Sequence, residues 1–253
     1  MSEIRLQKFM ADAGLCSRRA AEKWIADGRV SVNGTVITEM GSRVDPSVDI
    51  IKVDGTAVDA SPKDLITLIM HKPPGFVCTA KDPEGRRTVY SLLPPELPRV
   101  FTVGRLDYNT EGLLLFTNDG QLANALTHPA TGILREYEAK VKGHPNRKDI
   151  QTVSKGFEED GRLFQAVEVS FVRRTRKNCW YRVLLKEGRY HEVHRLFETA
   201  NLPVLRLLRV AFGPIQLGDI PLGGTRPLYP DELRTLRSYC NLDEKRMDTP
   251  RFA

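Results

Sequence analysis

Apolar residues in the first sixty positions recur first at helical and then at strand spacing. Leu6, Phe9, Met10 and Ala13 fall on one face of a helix, and Gly14 stands where a helix ends on a glycine. Ser17 is placed to cap a second helix over residues 18–27, with Ala21, Trp24 and Ile25 inward and Gly28 as its stop. Over residues 30–37 apolar and polar positions alternate about Asn33-Gly34, a pair that accepts the positive φ of a tight hairpin turn. Short strands continue over residues 44–58, with Asp54-Gly55 as a further turn. The pattern predicts two helices followed by a small sheet.

A short polar segment at 57–64 then sets a domain boundary, giving a small domain at 1–60 and a larger one at 61–238. Beyond it the apolar runs are short and β-rich, broken at Pro73-Pro74-Gly75 and Leu93-Pro94-Pro95, with one helix-like stretch at 121–126. Regular βαβ alternation and fixed-period repeats are missing, so the expected fold class is α+β with a mixed, mainly antiparallel sheet. From 239 the periodicity fades, and residues 239–253 read as a flexible tail.

Composition narrows the class. With 253 residues, 41% hydrophobic and 28% charged, the chain is globular rather than disordered. Its apolar runs, such as residues 113–116, are far shorter than the roughly 18 residues that span a bilayer. A charged opening segment carries no secretory signal, and the expectation is a cytoplasmic protein without membrane contact. Cys16, Cys78, Cys179 and Cys240 lie far apart and lack metal-ligand spacing, so they read as reduced thiols with no metal site.

The net charge of +6 is unevenly spread. Residues 171–195 hold Arg173, Arg174, Arg176, Lys177, Arg182, Lys186, Arg189 and Arg195 against Glu187 and Glu192, an excess equal to the charge of the whole chain. Either a polyanion binds there or the stretch is a solvated sheet face. In the first domain Lys8, Ser17, Arg18, Arg19, Lys23 and Arg29 are candidate phosphate binders around a helix N-terminus. Two arginines directly after an N-cap oppose the helix dipole, a cost that a bound anion would offset; the plainer alternative is an exposed helix face.

The densest chemical signal is the polar turn after Phe101-Thr102-Val103, which holds Arg105 and Asp107 and leads into a very apolar strand. Asp107 is either a catalytic carboxylate on a rigid base or a turn cap. Tyr137 opens an alternating stretch and by pattern alone is a core tyrosine of a strand.

Taken together, Gly104-Arg105-Leu106-Asp107, Thr110-x-Gly112-Leu113-Leu114-Leu115 and Thr117-Asn118-Asp119-Gly120 resemble the signature of the RsuA-type ribosomal RNA pseudouridine synthases. The resemblance extends through His71-Lys72-Pro73-Pro74-Gly75, Asp82-Pro83-Glu84-Gly85-Arg86 and Arg135-Glu136-Tyr137 to the long segment from Glu187-Gly188-Arg189 to Leu196-Phe197. Residues 1–60 resemble the S4 RNA-binding module that precedes this catalytic domain. The Asp-Pro-Glu-Gly-Arg segment and the Asn-Thr-x-Gly-Leu-Leu-Leu-Phe run are most similar to the RluB-like branch acting on large-subunit rRNA.

The resemblance implies isomerisation of one uridine within 23S rRNA: the ribose to N1 bond breaks, the uracil rotates, and it is rejoined through C5. No cofactor is implied, the partner is ribosomal RNA or an assembling particle, and the enzyme is read as a monomer. A 16S substrate and a non-catalytic S4-type assembly factor are the competing readings. By family likeness Asp107 is the catalytic carboxylate and Tyr137 stacks on the flipped base. The family usually carries Arg or Lys where this chain has His194. The expectation is that Arg195, with His194 close by, pairs with Asp107, His194 or Arg105 being the alternatives. Arg105 and Arg189 are assigned to RNA contacts.

Overall fold

The computed structural model describes residues 3–59 and 64–242. The chain separates into two compact units, one formed by the chain through Leu65 and one by the chain from Ile66 onward, with Asn118–Gly120 grouped with the first. The boundary expected between residues 60 and 61 lies outside the described residues.

The first unit contains β1 (Ile4–Arg5), α1 (Leu6–Asp12), α2 (Arg18–Ala26), β2 (Val30–Val32), β3 (Thr35–Ile37), β4 (Arg43–Val44), β5 (Ile51–Val53) and β6 (Thr56–Ala57). Gly14 follows α1 with φ 72°, and the Ser17 hydroxyl opens α2 by accepting the Ala20 N–H at 3.1 Å. The β2–β3 hairpin turns through Asn33 and Gly34, both at positive φ, as the Asn-Gly pair demands. Strand order is β3-β2-β5-β6, and β1 pairs antiparallel with β4. Leu6, Met10, Ala21, Ile25, Val30 and Ile51 close the core beneath it.

The elements that follow are β7 (Thr67–Lys72), β8 (Phe101–Val103), β9 (Glu111–Thr117), α3 (Gly120–Thr127), β10 (Arg135–Lys142), α4 (Arg147–Lys155), β11 (Phe157–Glu159) and β12 (Arg162–Phe164). They continue with β13 (Glu168–Arg174), β14 (Asn178–Leu185), α5 (Glu192–Glu198), β15 (Val204–Phe212), β16 (Ile215–Gln216), β17 (Thr225–Pro227) and α6 (Pro230–Tyr239). The main sheet runs β13-β14-β10-β15-β9-β7-β17, with β16 beside β15 and β8 beside β9. Only β15–β9 is parallel among these pairings. The architecture is α+β with a mixed, mainly antiparallel sheet.

Strand β9 is buried at every position, which explains its unbroken apolar run: a strand covered on both faces has no polar side to alternate with. Leu114 and Phe116 enter one core; Leu113 and Leu115 enter a second on the opposite face. Gly112, at φ 109°, sits against β15 so closely that a Cβ there would lie 2.2 Å from the Arg209 carbonyl oxygen. Only glycine permits that approach.

Three helices went unanticipated. In α4 a single residue, Val153, is buried, so its apolar periodicity is faint; a capping box between Asn146 and Asp149 marks its start instead. In α6 the signal is Pro230 at the first position and Glu232, whose Oε2 accepts the Tyr229 N–H at 2.9 Å. Helix α5 has seven residues and follows a left-handed residue, His191. The expected fraying from 239 needs correction too, since α6 includes Tyr239 and both Cys240 and Leu242 pack on the second core. Residues 243–253 lie outside the described residues.

Candidate active site

The turn between β8 and β9 carries Asp107 and is fixed from below by one buried cation. Lys72, at the end of β7, is fully buried, and its Nζ donates to the carbonyls of Pro73 (3.0 Å), Asp107 (3.1 Å), Tyr108 (3.2 Å) and Thr110 (2.9 Å). Three ammonium protons are thus shared among four acceptors. Burial lowers the Lys72 pKa, with Cys78, Asp107 and Glu111 acting in the other direction. An unpaired buried cation would cost several kcal/mol, so the carbonyl cage is what makes the position tolerable. The Thr110 N–H donates to the Asp107 carbonyl, the Gly75 N–H to that of Tyr108, and the Cys78 thiol to that of Leu106 at 3.3 Å. Through these bonds the His-Lys-Pro-Pro-Gly segment anchors the Asp107 turn.

Above the turn opens a cavity of about 290 Å³, lined among others by Arg105, Asp107, Arg135, Tyr137, Arg209 and Phe212. That is the lower end of the range for small-molecule pockets, roughly 300 Å³, and fits one nucleoside rather than a strand. Tyr137 projects from β10 as part of the buried wall. The Asp107 carboxylate is 42% exposed at the rim, and His191 Nε2 stands 3.8 Å from its Oδ2. The His191 ring stacks on Tyr190, centroids 4.1 Å apart at 9°, and lies 5.4 Å from the His194 ring. Glu192 Oε2 accepts the Arg189 N–H at 2.9 Å and holds the turn before α5.

On the far wall, Arg209 is 2% exposed, and its Nε donates to the Leu113 carbonyl at 2.8 Å. Its Nη2 has no hydrogen-bond partner, an unspent donor on a pocket-lining side chain. Arg135 Nη1 donates to the carbonyls of Ile133 and Lys186, both at 2.8 Å, with the guanidinium over Phe212. The lining thus sets Arg105, Arg135, Arg189 and Arg209 against Asp107 and Glu192, a cationic surround that suits a phosphodiester, while burial raises the Glu192 pKa.

Several expectations change. Arg195 does not line the cavity: it pairs with Glu159 and lies over Phe157 and Phe164, at 4.6 and 4.8 Å. His191 is the imidazole nearest Asp107, with His194 behind it. Burial lowers the His194 pKa and His191 lowers it further, while Asp107 raises it. Arg105 lines the cavity rim and Arg189 its wall, where Arg189 Nε donates to Glu187 Oε2 at 2.6 Å. Of the eight cations in the basic stretch, Arg173, Arg182, Arg189 and Arg195 are in ion pairs, so half of that charge is met internally.

In the first unit Lys8 pairs with Asp12, Arg29 with Asp54, and the Ser17 hydroxyl serves as a cap. Arg18, Arg19 and Lys23 are exposed and join no ion pair among the described residues, which leaves these three for an anion. Sequence reasoning assigned no role to Lys72, Arg135, His191 or Arg209. The first three stand inside quoted motifs; Arg209 is hidden in a strand whose arginines look alike.

A carboxylate on a caged turn at the mouth of a nucleoside-sized, arginine-lined cavity is a site suited to chemistry on a nucleoside. The sequence matches the RNA pseudouridylate synthase family over residues 66–199 and the S4 domain over residues 4–50. This chain belongs to the RNA pseudouridine synthases. It is 41% identical over 237 residues to an uncharacterized RNA pseudouridine synthase of Aquifex aeolicus, covering 93% of this chain and 94% of that one. To ribosomal large subunit pseudouridine synthase B of Haemophilus influenzae it is 41% identical over 244 residues, 94% of this chain and 68% of the relative. A crystal structure of a pseudouridylate synthase superposes with a TM-score of 0.64 at 26% identity, covering 92% of this chain and 99% of that one. Among the described residues no helix is long and apolar enough to cross a membrane.

Proposed function

We propose that this enzyme converts one uridine of 23S ribosomal RNA to pseudouridine, with Asp107 as the reacting carboxylate. The observation that carries the reading is the Asp107 turn, locked by the Lys72 cage at the mouth of a cavity that Tyr137 and Arg209 line. A flipped uridine enters the cavity and its face is covered by Tyr137, replacing the stacking lost on leaving the helix. Asp107 acts on the ribose as nucleophile or by abstracting a sugar proton, and the bond from C1′ to N1 breaks. The uracil rotates, C5 bonds to C1′, and the C5 proton moves to N1, so the product is an isomer of the substrate. His191, and not Arg195, is the basic side chain that faces Asp107. The large-subunit target is supported by the likeness to the Haemophilus influenzae enzyme. The first unit holds rRNA through Arg18, Arg19 and Lys23.

The test incubates wild type and Asp107→Ala with unmodified 16S and 23S transcripts, and maps pseudouridine by carbodiimide-dependent primer-extension stops. One new stop on 23S with wild type and none with the variant is expected. A stop on 16S alone would move the substrate to the small subunit; a stop that survives in Asp107→Ala would remove Asp107 from the chemistry.

A further inference from the structure

A second concavity opens on the sheet face that holds Tyr137. It lies between α4 and the edge of the sheet, with a volume of about 680 Å³. Ile150, Phe171 and Tyr181 give it an apolar floor, and Arg147, Gln151 and Lys155 stand on its rim. Its register relative to the catalytic cavity is fixed by β10: Ala139 is opposite Tyr181, and Tyr137 is two residues further along, about 7 Å. None of the groove residues lines the catalytic cavity.

The floor is aromatic where it meets solvent. Phe171 is 59% exposed on the edge strand β13, yet its ring is held edge-on to buried Tyr181, centroids 6.0 Å apart at 78°. The pairing slips between Phe171 and Arg173, a bulge that sets the ring's place at the sheet margin. The charged residues of its lining, Arg147 and Lys155, are both cations, and the Asp149 carboxylate acts on Tyr181 from outside that lining. Arg147 and Lys155 join no ion pair among the described residues, whereas the nearest acid on α4, Asp149, is spent on the Asn146 N–H at 2.8 Å. The Gln165 amide closes one end by donating to the Ser154 carbonyl at 3.0 Å. A fixed, open aromatic face flanked by free cations and neutral hydrogen-bonding groups is the chemistry that takes an unstacked base between two phosphates.

We propose that this groove is a second RNA-contact site, which stacks an unpaired nucleobase of the substrate RNA, other than the reacting uridine, on Phe171 and holds its flanking phosphates at Arg147 and Lys155. An apolar peptide would fill the same floor but leave both cations unanswered, so charge complementarity selects RNA. The proposal rests on the enzyme's RNA-modifying class and not on Asp107 or on the 23S assignment.

The experiment is carried out in the Asp107→Ala background, which separates binding from chemistry. Filter binding over a salt series measures Kd for unmodified 16S and 23S transcripts, with Phe171→Ala and with Arg147→Ala/Lys155→Ala, each checked by melting temperature. Loss of the stacking face is expected to raise Kd about tenfold on the preferred transcript. Loss of the two cations should flatten the log Kd against log salt slope by about 1.4. Transcripts substituted with 4-thiouridine should photo-crosslink to the peptide containing Phe171. Unchanged Kd and slope in folded variants, with crosslinks confined to other segments, would overturn the proposal and leave the groove to a protein partner.

Discussion

At His194 one imidazole is forced toward neutrality by its surroundings. Burial lowers its pKa below the ordinary 6.5, His191 on the preceding turn pushes the same way, and Asp107 and Glu198 only partly oppose them. In the unfolded chain the group titrates near 6.5, so as pH falls through that value the unfolded state takes up a proton that the folded state resists. Stability therefore drops between about pH 7 and the depressed folded pKa, with no contribution above about 7. Urea unfolding at pH 7.5 and 5.5 should show a smaller loss on acidification for His194→Gln than for wild type; an equal loss in both would refute the assignment. The sequence pointed to His194 and Arg195 because they stand in the motif, but the residue that faces Asp107 is set by the turn before α5. A left-handed residue at 191 fixes the phase of that helix, and a histidine at positive φ carries no signature in sequence.

Among elements, β7 reaches the site only through its last side chain. Lys72→Met keeps the volume roughly but takes the ammonium from all four carbonyls, leaving those of Asp107 and Tyr108 only the Thr110 and Gly75 N–H groups, at a cost of about 3 kcal/mol by the usual value of charged hydrogen bonds. The greater effect should fall on the rate. With the Asp107 turn free to relax, single-turnover conversion at saturating RNA is expected to slow by about 100-fold, since misplacement by roughly 1 Å costs that much. A near-normal rate in a folded Lys72→Met protein would mean that the turn holds its shape unaided. Elements with a strong local signal were readable: the Asn33-Gly34 hairpin, the capped α2 and the run in β9 each declare themselves in consecutive residues. Helices α4 and α6 bury few residues and announce themselves only by their caps, which an apolar count passes over.

For the whole molecule, charge is the property that the sequence overstated. The stretch at 171–195 concentrates cations in sequence, as a polyanion site or a solvated sheet face would, but side chains thirty and more residues away, Glu136, Glu138 and Glu159, pair with three of its arginines. No local pattern reveals partners at that separation. The proposed RNA footprint of the first unit shrinks in the same way to Arg18, Arg19 and Lys23. Arg18→Ala/Arg19→Ala should weaken binding to rRNA transcripts at moderate salt and reduce the salt slope by about 1.4, measured by filter binding. An unchanged slope would place the phosphate contacts elsewhere.

The β9–β15 contact carries a consequence in time. Arg209 meets the Leu113 carbonyl across 96 residues of chain, and Gly112 can take up its place only once β15 lies beside it. A contact of that separation pays its loop-closure entropy before it is rewarded, so it forms after the local elements. On a ribosome the S4 segment emerges complete long before Arg209 does. On the proposed reading, a nascent chain presents its RNA-contacting cations well before it has a wall against which to turn a base.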